Sequence, residues 1–484
     1  MRRLATPFFA LLAALLLLPA AAPGAVITIV NNDGPNEGFN DPTPAAPVGG
    51  NPGVTLGQQR LNVFQRAAEI WGASLVSPVE ILVRAQMDPQ TCSGTSAVLG
   101  SAGTTTIHRD FTNAPVAGTW YHQALANSLA GVDLSAAQPD INTTFNSQID
   151  TGCLTGTVGW YYGLEPEAPA DRIALLPVVL HELSHGLGFA NFVNEATGQW
   201  NSGFPDIYSV FTYDNTAGLF WTQMNDAQRI ASAINTYNVV WTGPVVFADA
   251  PRFLGPKPEL QVTSPPAIAG PKLVQTATFG PPISVLGVTG SVVLAQDPGG
   301  ISTTDACEPI VNNVTGAIAL VDRGNCTFVV KAQNVQAAGA IGLVVANHEP
   351  NGLPGMGGTD PAITIPAVGI QLADGNAIKA QLPAPGVTAT LAVNQAGMAG
   401  ADALGNVLLN APNPVQLGSS ISHWDPLTSP NTLMEPAIND DLFQKRDLTP
   451  AQLEDIGWTV IPFGDGFSDG FERGSTSVWS AATP

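Results

Sequence analysis

The stretch L-P-V-V-L-H-E-L-S-H-G-L-G-F-A-N-F, residues 176–192, decides how the rest of the chain is read. It sets His181 and His185 four positions apart, with Glu182 beside the first. On a helix, positions i and i+4 share a face, so both imidazoles reach one ion. Glu182 lies about 100° round that helix, where it can address a water but not complete the same ligand face. Two histidine ligands with a glutamate base is the zinc-peptidase pattern. A chain of this composition would produce H-E-x-x-H by accident only ~0.002 times. Pro177 fits the first helical turn, where its missing N–H costs nothing. Gly186 and Gly188 then predict the helix end.

A tetrahedral catalytic zinc takes three protein ligands and keeps one position open. The compact spacing that places a third histidine six residues after His185 meets Asn191, a poor zinc ligand. Four other histidines remain, His108, His122, His348 and His423, while Glu195 and Asp206 are acidic candidates. From spacing alone the third ligand stays open among these.

The N-terminal M-R-R-L-A-T-P-F-F-A-L-L-A-A-L-L-L-L-P-A-A-A-P-G-A, residues 1–25, has two arginines, an apolar run and small residues. It predicts a signal peptide, and hence a secreted, extracellular protein. No later segment reaches the ~20 apolar residues of a membrane span. The formal charge of −21 argues against nucleic acid or an anionic membrane as partner. Loss of Arg2 and Arg3 makes the mature chain more acidic still. Four cysteines suit an oxidising compartment, and the pairs Cys92–Cys153 and Cys307–Cys326 each close a loop within one apparent domain. Structural calcium is compatible with the many aspartates, but no EF-hand or glycine-rich calcium repeat is present. Oligomeric state has no signature.

The 484 residues predict more than one domain. Residues 26–55 are rich in Gly, Pro and Asn and read as extended. A helix is expected from Leu56, with Leu61, Phe64, Ala68 and Trp71 at helical spacing. Strands are expected at 79–86 and 140–148, a loop over 90–125, and a short helix at 226–234. Composition shifts near residue 245 towards Pro, Gly, Val and Ala. Inside that region strands at 316–324, 341–349 and 363–371 alternate with helices at 328–340 and 373–382, a small α/β module. The character of the first half returns after 396. The expected organisation is a signal at 1–25 and an α+β catalytic domain at 26–245 and 397–463. An inserted domain at 246–396 interrupts it, and a tail occupies 464–484.

His423 in S-S-I-S-H-W-D-P is followed eleven residues later by Met434 in N-T-L-M-E-P. H-E-L-S-H-G-L-G-F, a long insertion, then S-H-W-D-P and L-M-E-P resembles the leishmanolysin-like branch of the metzincins. That resemblance implies a zincin catalytic domain in which a twisted sheet and the H-E-x-x-H helix form the upper half. His423, Met434 and the helix near Thr449 belong to the lower. It implies one catalytic Zn2+ on His181, His185 and His423, Glu182 as base, and Met434 in a turn beneath the site. G-A-I-A-L-V-D-R-G-N-C-T-F-V-V-K-A-Q-N-V-Q-A-A-G-A-I-G-L-V-V-A-N-H-E-P, continued by I-T-I-P-A-V-G-I-Q-L-A-D-G-N-A-I, is similar to the protease-associated (PA) domain. In such domains a disulfide like Cys307–Cys326 is often seen. Together these imply a secreted zinc metalloendopeptidase acting on protein or peptide substrates. The alternatives are a gluzincin-like or Asp-liganded peptidase using Glu195 or Asp206, and a non-catalytic binding protein working through its PA domain.

Overall fold

In the computed structural model, which describes residues 24–461 apart from Pro385 and Asp440, the chain builds an α+β unit around a barrel. The expected signal segment up to residue 23 and the tail at 464–484 lie outside the described residues.

The enclosing unit begins with strand β1 (Ile27–Asn31), helix α1 (Leu56–Gly72) and strand β2 (Ile81–Asp88). Strand β3 (Gly100–Thr104), helix α2 (Gln123–Ala130), strand β4 (Ile141–Asn146) and helix α3 (Leu175–Leu187) follow. The sheet order is β1-β2-β4-β3, parallel except for β3, which runs antiparallel along the free edge. β2 alternates buried and half-buried residues along its whole length, the period of a strand with one covered face. That face carries α1 and α3. Thr55 caps α1 by accepting from the Gln58 N–H, and Phe64 packs edge-on to Phe39 and Phe145. Trp71 donates from Nε1 to the Leu180 carbonyl at 3.1 Å, which locks α1 to α3.

α3 is buried along its entire length. Gly186 lets it approach the sheet: a Cβ there would stand 2.4 Å from the Ile141 side chain. Gly188, at φ +138°, ends the helix in a conformation open to glycine. Trp458, from the far side of the insertion, donates its Nε1 to the Leu187 carbonyl at 2.8 Å, which satisfies an otherwise orphaned helix-end acceptor.

Two expectations are corrected. The span 90–125 is not a plain loop, since it contains β3 and the start of α2. β3 reads G-S-A-G-T, with no apolar alternation to reveal it; its pairing with β4 makes it a strand. Residues 26–55 are not merely extended either, because β1 joins the sheet beside β2.

After α3 come helix α4 (Ile207–Val210), strands β5 (Thr212–Asp214) and β6 (Leu219–Phe220), helix α5 (Asp226–Ser232), strand β7 (Val239–Trp241) and helix α6 (Pro244–Phe253). The barrel then takes strands β8 (Pro256–Ser264), β9 (Gly270–Thr276), β10 (Val288–Leu294) and β11 (Ile318–Asp322), with helix α7 (Phe328–Ala337) following. Strands β12 (Gly342–Ala346) and β13 (Ala367–Ile370), helix α8 (Leu372–Lys379) and strand β14 (Val387–Met398) complete it. It closes in the order β8-β9-β13-β12-β11-β10-β14, and two apolar clusters fill and flank it, separate from the core of the enclosing unit. Strand β15 (Val407–Leu408) pairs with β7, returning the chain to the enclosing unit, and helix α9 (Thr449–Asp455) packs on α6.

The barrel therefore runs from 256 to 398, and α6, expected inside the insertion, belongs to the enclosing core. Val246, Ala250 and Leu254 are buried there. The Asp455 carboxylate of α9 accepts from the backbone N–H groups of Val245 and Val246 at 2.8 and 3.1 Å, capping α6. The composition shift at 245 misleads because α6 itself starts with proline and is rich in Val and Ala. Val246→Asp should destabilise the enclosing unit by ~3–5 kcal/mol and lower its melting temperature, as burial of an unpaired charge does. Calorimetry should find the barrel's transition unmoved.

Candidate metal centre

His181 and His185 project from α3 side by side, and the chain returns 238 positions later to place His423 against them. The Nε2 atoms of His181 and His185 are 3.1 Å apart, and those of His181 and His423 are also 3.1 Å apart. Ligand atoms of the three rings all lie within 4.8 Å of one another. Each ring is aimed by a carbonyl behind it. Nδ1 of His181 donates to Leu433 O at 2.7 Å, that of His185 to Phe189 O at 2.7 Å, and that of His423 to Ser419 O at 2.8 Å. With Nδ1 carrying the proton in all three, every Nε2 presents a bare lone pair to the other two. Such an arrangement is repulsive unless a cation sits among them.

The donor set fits zinc. Nitrogens sharing a tetrahedral ion at ~2.0–2.1 Å stand ~3.3 Å apart, close to the spacing observed. Burial holds the rings neutral, as ligands must be. It pushes His181 down to about 3, helped by His185, and His185 down to about 4. Burial, with His185 and His181 beside it, also takes His423 well below the usual histidine range. Glu182 is buried on the same helix and pushed up to about 8 by desolvation, against which the Ala102 N–H works. A neighbouring cation would draw it back towards the carboxylate.

His423 sits on a tight, strained turn. Ile421 adopts φ +66°, a region costing a β-branched residue ~1–3 kcal/mol. The turn is held by the Ile421 N–H on Asn410 O at 2.7 Å and by the Tyr208 hydroxyl on Ile421 O at 2.8 Å. Beneath it, Trp424 stacks edge-on to Phe189 with ring centres 4.9 Å apart. Leu433, whose carbonyl aims His181, is fixed in turn by Asp447 Oδ2 accepting its N–H at 2.6 Å. Met434 is fully buried in the same core, and its carbonyl accepts from Trp424 N.

The other candidates have structural work. Asn191 donates through Nδ2 to Glu195 Oε1 at 3.0 Å and to Ser422 Oγ at 3.1 Å, while its N–H reaches the same hydroxyl. It thus clamps the segment after α3 to the residue preceding His423. Asp206 is buried, caps α4 by accepting from the Ser209 N–H, and accepts from Phe192 N. Neither Glu195 nor Asp206 belongs to the histidine cluster found among the described residues. His108 contacts Thr106 and Ser135, exposed His348 pairs with Glu349, and buried His122 packs against Phe192. The sequence reading missed the Asn191–Ser422 clamp and the three orienting carbonyls. Asn191 was visible as the occupant of the position where the compact spacing wants a histidine; backbone carbonyls have no sequence signal.

The three rings open onto a cleft of about 610 Å³. Val98, Ala102, Glu195, Leu417, Glu435 and Ile438 are among its lining residues, so β3 forms one wall and the segments flanking His423 the other. The acids are engaged: Glu195 by Asn191, and Glu435 by the Thr428 hydroxyl and Thr432 N–H at 2.9 and 2.6 Å. Both disulfides, Cys92–Cys153 and Cys307–Cys326, are formed.

Comparison with known proteins identifies a PA domain over residues 288–378. Signal peptide peptidase-like 2 of Arabidopsis thaliana is 44% identical over 45 residues, 9% of this chain and 8% of that protein. Leucine aminopeptidase 2 of Arthroderma otae is 34% identical over 117 residues, 24% of this chain and 22% of its own length. The chain thus spans less than a quarter of either relative. Among solved structures, an aminopeptidase from an Aneurinibacillus species is 30% identical with a TM-score of 0.23, covering 29% of this chain and 31% of that one. A zinc aminopeptidase from Bacillus subtilis is 21% identical with a TM-score of 0.21, covering 31% of this chain and 36% of that one. Among the described residues no helix is long and apolar enough to cross a membrane.

Replacing Asn191 by Ala leaves Ser422 and half-buried Glu195 without its amide, and should cost about 1–3 kcal/mol. Urea denaturation of the zinc-free chain checks this apart from any effect on metal.

Proposed function

We propose that the chain is a secreted zinc metalloendopeptidase of the leishmanolysin-like metzincin type, interrupted by its PA domain. The observation that carries this reading is the convergence of three Nε2 lone pairs, each fixed by a carbonyl at Nδ1, beside a buried glutamate on the same helix. A zinc ion held by His181, His185 and His423 supplies a Lewis acid that acidifies water and polarises a carbonyl. Glu182 accepts the proton of the attacking water and passes it to the departing amine. Among the described residues the outer edge of β3 is unpaired, and it borders the cleft, so an extended peptide can lie against it with main-chain hydrogen bonds.

Endopeptidase action is favoured by the state of the cleft acids. Glu195 and Glu435 are bonded within the protein rather than offered to a substrate's terminal amine. Export is favoured by the leader segment and the two disulfides.

Four measurements test the reading. Glu182→Gln should keep one zinc per chain by elemental analysis while casein cleavage falls ~10²–10⁴-fold. His423→Ala should lose the zinc; retention of stoichiometric metal with full activity would overturn the ligand assignment. Fragments cut from the interior of casein are expected, and release of single amino acids instead would replace the endopeptidase reading with an exopeptidase one. Chelation by 1,10-phenanthroline should abolish cleavage and lower the melting temperature of the enclosing unit, because the facing lone pairs lose their cation.

A further inference from the structure

The loop between β10 and β11 gathers a second set of acidic groups, remote in sequence from the histidines. Asp297 and Asp305 are 1% and 2% exposed, and Glu308 is half-buried. One carboxylate oxygen from each lies within 4.8 Å of the others. An acidic cluster alone would mean little. Here Asp297 Oδ1 and Glu308 Oε2 are shielded from solvent and have no hydrogen-bond partner. Two of the other oxygens are committed to positioning: Asp297 Oδ2 accepts from Glu308 N at 3.2 Å, and Asp305 Oδ1 from Cys307 N at 3.3 Å.

The surrounding charge does not balance. Lys331 of α7 is the cation facing the group, and its Nζ is spent on the Asp305 carbonyl at 2.5 Å and lies 3.6 Å from Cys307 Sγ. Asp322 on β11 adds another carboxylate, itself paired with Lys379 at 2.8 Å. Three carboxylates against one ammonium leave an excess of about two negative charges in a partly desolvated site, which is costly without a counter-ion.

We propose that Asp297, Asp305 and Glu308 bind one calcium ion that draws the two arms of this loop together. All three donors are hard oxygens, and the nearby sulfur is held in a disulfide, so calcium suits the set better than zinc. Calcium completes its shell of ~6–8 oxygens with water where the protein supplies fewer. The backbone wraps the acid closely: a Cβ on Gly300, itself at φ +75°, would stand 2.9 Å from Glu308 Oε1. Together with the Cys307–Cys326 link, the ion would tie the loop to the segment leading into α7. This site is independent of the histidine centre.

The test uses the full-length, zinc-loaded chain. Titration calorimetry with calcium chloride should find one ion bound, with Kd of ~10⁻⁴–10⁻³ M as in other extracellular modules. Millimolar calcium should raise the barrel's melting temperature. The Asp297→Asn, Glu308→Gln double variant should melt in EGTA at or above wild type, because a repulsion is removed, and should gain nothing from calcium. Asp360→Asn, at a half-buried carboxylate on the same domain that lies outside the trio, should gain from calcium as much as wild type does. An undiminished calcium response in the double variant overturns the proposal. So does a wild type indifferent to calcium but stabilised by mild acid, which would mean that Asp297 and Glu308 share a proton instead.

Discussion

Three imidazole nitrogens point their lone pairs at one another, and the rest of the enclosing unit is arranged so that they cannot turn away. Each ring donates its Nδ1–H to a carbonyl: one from the residue ending the turn after α3, one from the His423 turn, one from the buried segment before Met434. Those carbonyls are pinned in turn. Asp447 holds Leu433, and Tyr208 and Asn410 hold the strained backbone at Ile421. Asn191 bridges the two sides through Ser422. The ring orientation therefore depends on backbone groups whose positions only the assembled core sets.

A domain inserted between His185 and His423 would be expected to loosen such a cluster. It does not, for a geometric reason. The barrel is entered at Pro256 and left at Met398, and these two residues are partners in one β pairing. The enclosing unit thus has to accommodate only the separation between adjacent strands, whatever the length of chain beyond them. Closure of the barrel leaves no free strand edge to compete for pairing with β3 or β7. Contact between the units is local and polar in part, as where the Leu353 N–H donates to the Tyr237 hydroxyl at 2.9 Å. Asp455 and Trp458, which lie beyond the insertion, cap α6 and α3, which lie before it.

Legibility in the sequence followed the strength of local signals. α1 was readable from its helical periodicity, and α3 because the H-E-x-x-H spacing, a proline in the first turn and terminal glycines agree with one another. The buried strands of the barrel at 318–322 and 342–346 were readable as short apolar runs between turn residues. β3 was not, since a strand of Gly, Ser, Ala and Thr owes its conformation to its neighbour. α6 was assigned to the wrong side of a boundary because composition reports what a segment is made of, and not what it packs against. The acidic trio in the barrel was equally silent: its members are spread over a loop and match no calcium-binding motif.

The chain's own letters determined the helix bearing His181, Glu182 and His185, because a four-residue spacing on an α-helix is a local fact of geometry. They also marked the presence of a PA domain, whose short strands and helices carry their periodicity within a few residues each. Spacing alone left Glu195, Asp206 and four histidines in contention for the third position, and only the resemblance carried by S-H-W-D-P and L-M-E-P pointed to His423. What brings His423 against the other two rings is a long-range event: the return of the chain through β15 and the packing of Trp424 against Phe189. The carbonyls that set the direction of each lone pair had no sequence signal of their own, because every residue carries the same carbonyl and only packing decides where it points.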